Sequence, residues 1–147
     1  MRTHQLEKAL KTHKLTKNIF KGVYASNKLP NYIPRNKHSC FIANTDPHHK
    51  PGQHWVAYYY TNTHVYFFDS YGRPPLNPSF QRMMKYRKHK KYFSKCIQGN
   101  GYVCGYYCLY FILGIIKDWD FNQFGNDLNA NDAHVRKIVT RHFPNIE

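Results

Sequence analysis

Acidic residues are scarce in this sequence, and the marks of secreted and membrane proteins are missing. Only 8 of the 147 residues are Asp or Glu, against 22 Lys and Arg, which gives a formal net charge of +14. The 4 cysteines include no CxxC pair, so they do not form the disulfide framework of a small secreted domain. The chain start lacks the apolar stretch of a signal peptide, and the apolar run at 104–117 is too short to span a bilayer. We therefore expect an intracellular protein that is not secreted and has no membrane partner.

Metal-ligand spacings and internal repeats are missing as well. His48 and His49 are adjacent and cannot converge on one ion, and nothing suitably spaced joins Cys104 and Cys108 in a tetrahedral zinc site. The sequence therefore predicts no metal and no small-molecule cofactor. A hydrophobic content of 41% excludes a disordered chain, and the length of 147 residues indicates one domain, 1–147.

Two segments rich in aromatic and β-branched residues, 54–60 and 63–69, predict a β-hairpin. A two-residue loop at 61–62 would set His54 directly opposite Asp69. Opposed residues share a face of the sheet, with Cβ atoms about 5 Å apart. The hairpin would therefore bring an imidazole and a carboxylate together at its open end, unless a one-residue slip in the turn separated them.

The segment that follows the next loop signal supplies a thiol. Residues 104–117 are apolar on every side, which predicts a buried central helix, and Asn100-Gly101 before them favours a loop. Cys104 would then lie at the helix N-terminus, where positive partial charge and unpaired N–H groups favour the thiolate. Gln98, in the same loop, could donate its amide to a developing oxyanion. Cys108, one turn further in, is interpreted as a core residue.

These four residues provide a base, an orienting acid, a nucleophile and an oxyanion donor, which acyl transfer by a cysteine enzyme requires. Each has a plainer interpretation when taken alone. His54 could be an ordinary strand-end histidine, and Asp69 could be the first residue of a turn. The shared face and the cysteine segment favour the catalytic interpretation.

In their order along the chain, these motifs resemble the adenovirus-type cysteine endopeptidases, or adenains. Similar proteases occur in adenovirus-related viruses and in Polinton/Maverick transposons. The resemblance is carried by Phe20-Lys21-Gly22-Val23-Tyr24, Phe41-Ile42-Ala43-Asn44-Thr45, Gly52-x-His54-Trp55-x-Ala57, Tyr66-x-Phe68-Asp69-x-x-Gly72, Gln98-Gly99 and Cys104-Gly105-x-x-Cys108. It implies that His54 is the base, Asp69 the orienting acid, Cys104 the nucleophile and Gln98 the oxyanion donor. Trp55 and Gly105 would line the substrate-binding site.

The resemblance implies an α+β fold of the papain-like and adenain-like cysteine proteases, with a central buried helix packed against a mainly antiparallel sheet. The implied activity is cleavage of viral or transposon structural precursors at small-residue, Gly-containing sites during virion maturation. The expected location is the host nucleus or the virion, and the expected state is a monomer. Asp69 stands where adenovirus enzymes generally carry Glu, and the spacing from Gln98 to Cys104 is one residue shorter than theirs. Both departures are more like the SUMO-specific branch of the same clan.

Two alternative functions stay open at this point. One is an isopeptidase that acts on SUMO or ubiquitin-like proteins, although 147 residues leave little room for a surface that grips a folded modifier. The other is a non-enzymatic, basic nucleic-acid-binding domain that retains the site residues.

Positive charge is densest between residues 82 and 91, and such an excess favours nucleic acid as a partner. The sequence has no zinc-finger spacing and no clear recognition helix, which argues against sequence-specific recognition. We therefore expect non-specific binding of double-stranded DNA, and the family resemblance implies that DNA stimulates cleavage. A solvated basic face with no partner is the alternative. The residues predicted to contact DNA are Arg82, Lys85, Arg87, Lys88, Lys90 and Lys91.

Periodicity and turn signals predict the remaining elements. They are an amphipathic helix at 5–14 with Leu6, Ala9 and Leu10 on one face, a strand at 39–45, a loop at 46–52, a basic helix at 79–91, a short strand at 92–97 and a last helix capped by Asn131-Asp132.

Overall fold

The computed structural model describes residues 1–46, 54–99 and 102–146. A sheet in the order β1-β2-β3-β4-β5 forms the centre and carries a hydrophobic cluster on each face. The strands are β1 (Phe20–Tyr24), β2 (Ser39–Asn44), β3 (Trp55–Tyr60), β4 (His64–Phe68) and β5 (His89–Tyr92). The helices are α1 (Thr3–Thr12), α2 (Pro78–Met84), α3 (Cys104–Lys117) and α4 (Leu128–His142), with a 3-10 turn at Phe121–Gln123. The α+β class predicted from the sequence is confirmed.

The sheet is mixed rather than mainly antiparallel. Its two central pairs, β2–β3 and β3–β4, are antiparallel, whereas the edge pairs β1–β2 and β4–β5 are parallel. Parallel neighbours need a crossover of a dozen or more residues, and the chain between β4 and β5 supplies one that contains α2. β1 was not predicted as a strand.

The helix α3 packs against one face of the sheet, and it begins at Cys104 as predicted. Every residue from Gly105 to Gly114 is buried, and Phe111 stacks on Phe68 of β4 with ring centroids 4.5 Å apart. Since α1 and α4 cover the same helix, its whole surface is apolar rather than one stripe. This packing fixes the helix start beside the ends of β3 and β4.

The opposite face of the sheet packs against α2. The Tyr58 hydroxyl donates to the carbonyl of Phe80 at 2.9 Å, and the Tyr60 hydroxyl donates to the carbonyl of Met83 at 2.7 Å. Because both faces of β3 are covered, Val56 to Tyr60 are all buried, as in a central strand of a layered fold.

The hairpin register differs from the predicted one by two residues. Tyr60 pairs with Val65, and the Thr61 hydroxyl accepts the backbone N–H groups of Thr63 and His64 at 3.3 and 3.0 Å. This side-chain turn lengthens the loop, an option that serine and threonine offer the backbone. A shift of two residues preserves the face of every side chain, so His54 and Asp69 become diagonal neighbours instead of opposed ones.

The predicted basic helix at 79–91 and strand at 92–97 are wrong in their bounds. The helix α2 starts at Pro78, where the Asn77 side chain accepts the N–H of Ser79 at 2.8 Å, and it ends at Met84. The strand that follows is His89–Tyr92. Most of the basic run therefore lies in a loop and on an exposed edge strand.

The two terminal helices are where the sequence predicts them, with shifted ends. Leu6, Ala9 and Leu10 form the buried face of α1, as expected. The cap of α4 is Asp127, which accepts the N–H of Ala130 at 3.1 Å, rather than Asn131-Asp132. The predicted loop at 46–52, apart from Asp46, and the pair Asn100-Gly101 lie outside the described residues. Within the described part of the chain, no helix combines the length and apolar character needed to cross a membrane.

Candidate active site

The candidate catalytic residues meet where β3 begins, β4 ends and α3 begins. His54 immediately precedes β3, Asp69 immediately follows β4, and Cys104 is the first residue of α3. The His54 Nε2 atom lies 2.7 Å from Asp69 Oδ1, and both residues are buried. The structure thus brings together the imidazole and carboxylate that the sequence placed on one face.

Asp69 is held as an ionised acceptor. Burial alone would raise its pKa, but hydrogen bonds from His54 and the Tyr71 backbone, with the charge of Arg73, hold the pKa of Asp69 below its ordinary value. The Tyr71 N–H donates to Oδ1 at 2.9 Å, and Arg73 Nε donates to Oδ2 at 3.1 Å. A carboxylate only accepts hydrogen bonds, so Asp69 requires a proton on His54 Nε2 and fixes the ring.

The contact between His54 and Cys104 favours a thiolate–imidazolium pair. Burial alone lowers the pKa of His54, yet its hydrogen bonds with Asp69 and Cys104 raise that pKa to about 9. Burial alone raises the pKa of the Cys104 thiol, but the hydrogen bond with His54 and another from the Trp55 backbone bring it below its ordinary value. Because Nε2 is hydrogen-bonded to Asp69, the ring nitrogen left for the hydrogen bond with the thiol is Nδ1. A lowered thiol pKa beside a histidine is characteristic of a nucleophilic cysteine.

The buried cysteines make a useful contrast within the same chain. Cys108 lies one helical turn beyond Cys104 in the core cluster, and burial raises its pKa well above the ordinary value. Burial likewise raises the pKa of Cys40 on β2. Both are buried, as predicted for Cys108, whereas Cys104 is only partly buried and Cys96 is exposed. Reactivity should therefore concentrate at Cys104.

Gln98 lies in the loop between β5 and α3, close to the acid Asp69. The residue is 2% exposed, and its Oε1 accepts a hydrogen bond from the Ser70 hydroxyl. That contact directs the amide NH₂ to the other side of the carboxamide, where it can donate. The backbone N–H of Cys104 belongs to the first turn of α3, whose N–H groups have no partner within the helix. An oxyanion formed at Cys104 would therefore have a backbone donor, and Gln98 is the second candidate.

Trp55 and Gly105, the predicted substrate-binding residues, both contact the N-terminal Met1. Trp55 Nε1 donates to the carbonyl of Met1 at 3.1 Å. A Cβ atom on Gly105 would lie 3.0 Å from Met1 Cβ and 3.2 Å from its Sδ, so the absence of a side chain there makes room for a neighbouring chain segment. Gly105, the neighbour of Cys104, thus borders a space that Met1 occupies.

Residues 20–131 match the family model described as adenovirus endoprotease, and this segment includes all four candidate catalytic residues. The chain belongs to that family. A protein of Acanthamoeba polyphaga mimivirus that carries the name of a thiol protease is 29% identical over 117 residues. The match covers 70% of this chain and 39% of the mimivirus protein, so the chain spans about two fifths of that relative. The crystal structure of an ASFV protease is similar with a TM-score of 0.49 and 20% identity, over 76% of this chain and 44% of that one.

Three residues of the site in this family member escaped the sequence analysis. Ser70, Tyr71 and Arg73 follow the acid directly, and only the turn-like sequence after Asp69 marked the segment. The Tyr71 ring packs on the His54 ring with centroids 4.8 Å apart, and the Arg73 guanidinium lies 5.2 Å from the Tyr71 centroid. Tyr71 therefore covers the His54 ring, and Arg73 packs on Tyr71.

The predicted DNA-contacting residues do not form one surface. Lys85, Lys88 and Lys90 line a cavity of about 460 Å³ together with Arg35. Lys91 pairs with Tyr66 on the other face of the sheet, beside α3. Adjacent residues of a strand point to opposite faces, so the run divides at β5. Arg82 of α2 donates to the carbonyl of Pro30 at 3.1 Å.

Arg87 is a correction to the predicted DNA-contacting set. The residue is 6% exposed, and its ring neighbour is Tyr60, whose centroid lies 5.3 Å from the guanidinium. Its guanidinium donates to four backbone carbonyls, those of Thr61, Tyr86, Pro34 and Lys37. Arg87 also lines the cavity of Lys85, Lys88 and Lys90, but a guanidinium with its donors so engaged holds loops together instead of binding a phosphate.

Across residues 1–46, 54–99 and 102–146, no group of three or more His, Cys, Asp or Glu side chains is placed to hold a metal ion. The pair His48-His49 lies outside these ranges. Acyl transfer by a thiol, an imidazole and a carboxylate needs no cofactor.

Proposed function

We propose that this member of the adenovirus endoprotease family is a cysteine endopeptidase. The observation that carries the proposal is the continuous chain of hydrogen bonds from Asp69 through His54 to Cys104, at the start of a buried helix. In this assignment Cys104 is the nucleophile, His54 the general acid and base, Asp69 its orienting acid and Gln98 an oxyanion donor.

The reaction follows from these positions. The Cys104 thiolate attacks the scissile carbonyl carbon, and the carbonyl π electrons move to oxygen, where the Gln98 amide and the Cys104 N–H stabilise the oxyanion. As the carbonyl re-forms, the C–N bond breaks and the leaving amine takes the proton of the His54 imidazolium. The resulting thioester is hydrolysed by a water that His54 deprotonates, and thiolate and imidazolium are regenerated.

The proposed substrates are viral or transposon structural precursors cut at small-residue, Gly-containing sites. Support comes from the space beside Cys104, which lies between the Trp55 indole and the backbone of Gly105 and already receives Met1. The preference for small residues rests on the family resemblance, because Met1, which occupies this space, carries a large side chain. The alternative isopeptidase function would instead require affinity for a folded modifier.

The test is thiol-dependent cleavage of a peptide library that contains Gly at varied positions. The parent protein should cleave a subset of these peptides, and Cys104→Ala should abolish turnover while its circular dichroism spectrum stays that of the parent. Cys96→Ser is the matched control, because Cys96 is also a free thiol but is exposed. Full activity of Cys104→Ala would remove the assignment, and cleavage restricted to folded modifier fusions would support the isopeptidase instead.

We also propose that the cavity lined by Lys85, Lys88, Lys90 and Arg35, here called the basic cavity, binds the backbone of double-stranded DNA without sequence preference. The formal net charge of +14 supports a polyanionic partner. The cavity adjoins the turn of the hairpin, and its lining includes Asn62 and Thr63. The active site lies at the opposite, open end, so bound DNA would leave it accessible. A location in the host nucleus or the virion fits this partner and stays a prediction.

A further inference from the structure

The loop that carries Gln98 is held from two sides by polar residues with no assigned role. Ser70 contacts it from the strand side, and Asp132 contacts it from α4. We propose that Ser70 and Asp132 are positioning residues that fix the amide of Gln98 for oxyanion stabilisation. This inference rests on the proposed function, because it concerns how the same site is kept in order.

Ser70 makes three hydrogen bonds to two consecutive loop residues. Its carbonyl accepts the N–H of Ile97 at 2.9 Å and that of Gln98 at 3.2 Å, and its hydroxyl donates to Gln98 Oε1. Ser70 is only 1% exposed. If the carboxamide turned over, the hydroxyl would have to accept from the NH₂ group, and its own proton would need another partner in a site closed to water. The observed orientation avoids that cost.

Asp132 fixes the residue that follows Gln98. Its carboxylate accepts the N–H of Gly99, with the two oxygens 3.1 and 3.2 Å away, and the Tyr107 hydroxyl donates to it at 2.7 Å. A Cβ atom on Gly99 would lie 3.1 Å from Asp132 Oδ2, closer than nearly all such contacts. The bare glycine backbone therefore lets the carboxylate reach the N–H. Asp132 itself is 8% exposed, so it is a buried polar group with specific partners.

Gln98 is thus fixed on both sides by groups that belong to different elements. Ser70 directly follows the acid Asp69, and Tyr107 belongs to the helix that begins with Cys104. These short contacts consequently fix the positions of the acid, the nucleophile and the oxyanion donor relative to one another. A donor that must meet an oxyanion at hydrogen-bond distance benefits from such preorganisation, because nothing has to reorganise during the reaction.

The test separates oxyanion stabilisation from thiol reactivity. Ser70→Ala should lower kcat for a cleavable peptide at least tenfold, approaching the roughly 10²- to 10³-fold loss expected when an oxyanion donor is removed. KM should change little. The rate of Cys104 alkylation by iodoacetamide should stay at the parent value, because alkylation needs the thiolate and develops no oxyanion. Ser39→Ala, a buried serine at the far end of β2, is the matched control and should retain the parent kcat.

A double mutant provides the second readout. In a Gln98→Ala background, Ser70→Ala should cause no further loss of kcat, since it acts only through Gln98. Asp132→Asn replaces one acceptor oxygen by an NH₂ group and should reproduce the same pattern, so the inference is tested even where Ser70→Ala folds poorly.

Three results would overturn the proposal. The first is a parent-like kcat in both Ser70→Ala and Asp132→Asn. The second is a fall in the rate of Cys104 alkylation that matches the fall in kcat. The third is a further loss of kcat when either substitution is added to Gln98→Ala. These results differ from failure of the proposed function, in which the parent protein cleaves no peptide although Cys104 alkylates.

Discussion

At the scale of single residues, the pH dependence of activity follows from the thiolate–imidazolium pair. Peptide cleavage needs the Cys104 thiolate and the His54 imidazolium together. The value of kcat/KM should therefore rise through the lowered pKa of Cys104 and fall as the pH passes about 9, where His54 loses its proton. Alkylation by iodoacetamide, measured in parallel, should persist above that pH because it needs the thiolate alone. A single rise in alkylation near the ordinary thiol pKa of about 8.5 would contradict the pair.

Replacement of the base and of the acid should have different consequences. His54→Ala removes the proton donor and the partner of the thiolate, so it should reduce kcat nearly as much as Cys104→Ala. Asp69→Asn should be milder, because Asp69 orients the ring and transfers no proton. Without the carboxylate the pKa of His54 falls, so the alkaline limb of the Asp69→Asn profile should move to lower pH. An unchanged alkaline limb, measured by kcat/KM against pH, would show that Asp69 does not set this pKa.

At the scale of elements, Arg87 holds separate loops together through hydrogen bonds. Its guanidinium joins the hairpin turn at Thr61 to the loop carbonyls of Pro34 and Lys37. Arg87→Gln should lower the free energy of unfolding by about 2 kcal/mol or more, because several charge-assisted bonds are lost and buried carbonyls are left unpaired. Urea unfolding measures this change. Lys88→Gln, one residue away and exposed, is the control and should stay within about 0.5 kcal/mol of the parent. Equal stability of the two variants would return Arg87 to the candidates for DNA contact.

The same hydrogen bonds of Arg87 explain why the predicted end of α2 was wrong. Residues 85–91 are basic and compatible with a helix, but Arg87 is drawn to carbonyls more than 20 residues away in the chain, which no local pattern reveals. The bounds of β5 were not predicted, because all four of its residues are exposed. Its sequence therefore shows no alternation of apolar and polar positions. By contrast, α3 was placed at its first residue, because its run of apolar residues follows a strong loop signal.

The candidate site was more predictable than the element bounds. The face shared by His54 and Asp69 survived a register error of two residues, because side chains in a strand repeat with period two. Ser70 was not singled out and Asp132 was interpreted as a helix cap, since a serine in a turn and an aspartate in a helix have no characteristic spacing. Their role depends on the approach of α4 to the Gln98 loop, which is a tertiary contact.

At the scale of the whole molecule, the two proposed functions lie at opposite ends of the central hairpin. Six residues of β3 separate the start of the strand at the active site from the turn at the basic cavity, which is roughly 20 Å at 3.3 Å per residue. DNA bound at the cavity would therefore act by retaining enzyme and substrate on one polymer, without contact with the catalytic residues.

Salt dependence tests the basic cavity directly. The logarithm of the binding constant for double-stranded DNA should fall linearly with the logarithm of salt concentration, with a slope of about −0.9 per phosphate neutralised. Replacing Lys85, Lys88 and Lys90 by Gln should flatten the slope by up to about 2.7, measured by fluorescence anisotropy on two unrelated duplexes. Replacing Lys8, Lys11 and Lys14 by Gln removes the same charge from the N-terminal region and is the matched control. Equal slopes for the two triple variants would mean that total charge, and not the cavity, attracts DNA.

The role of Cys104 as the nucleophile of a peptidase is best tested by trapping the acyl-enzyme. The parent protein is mixed with a cleavable peptide, quenched in acid during turnover and mapped by mass spectrometry. We predict a thioester that adds the acyl half of the peptide to the fragment containing Cys104, with no such adduct in Cys104→Ala. Cleavage that proceeds without any adduct on Cys104, or with the adduct on Cys96, would show that Cys104 is not the nucleophile.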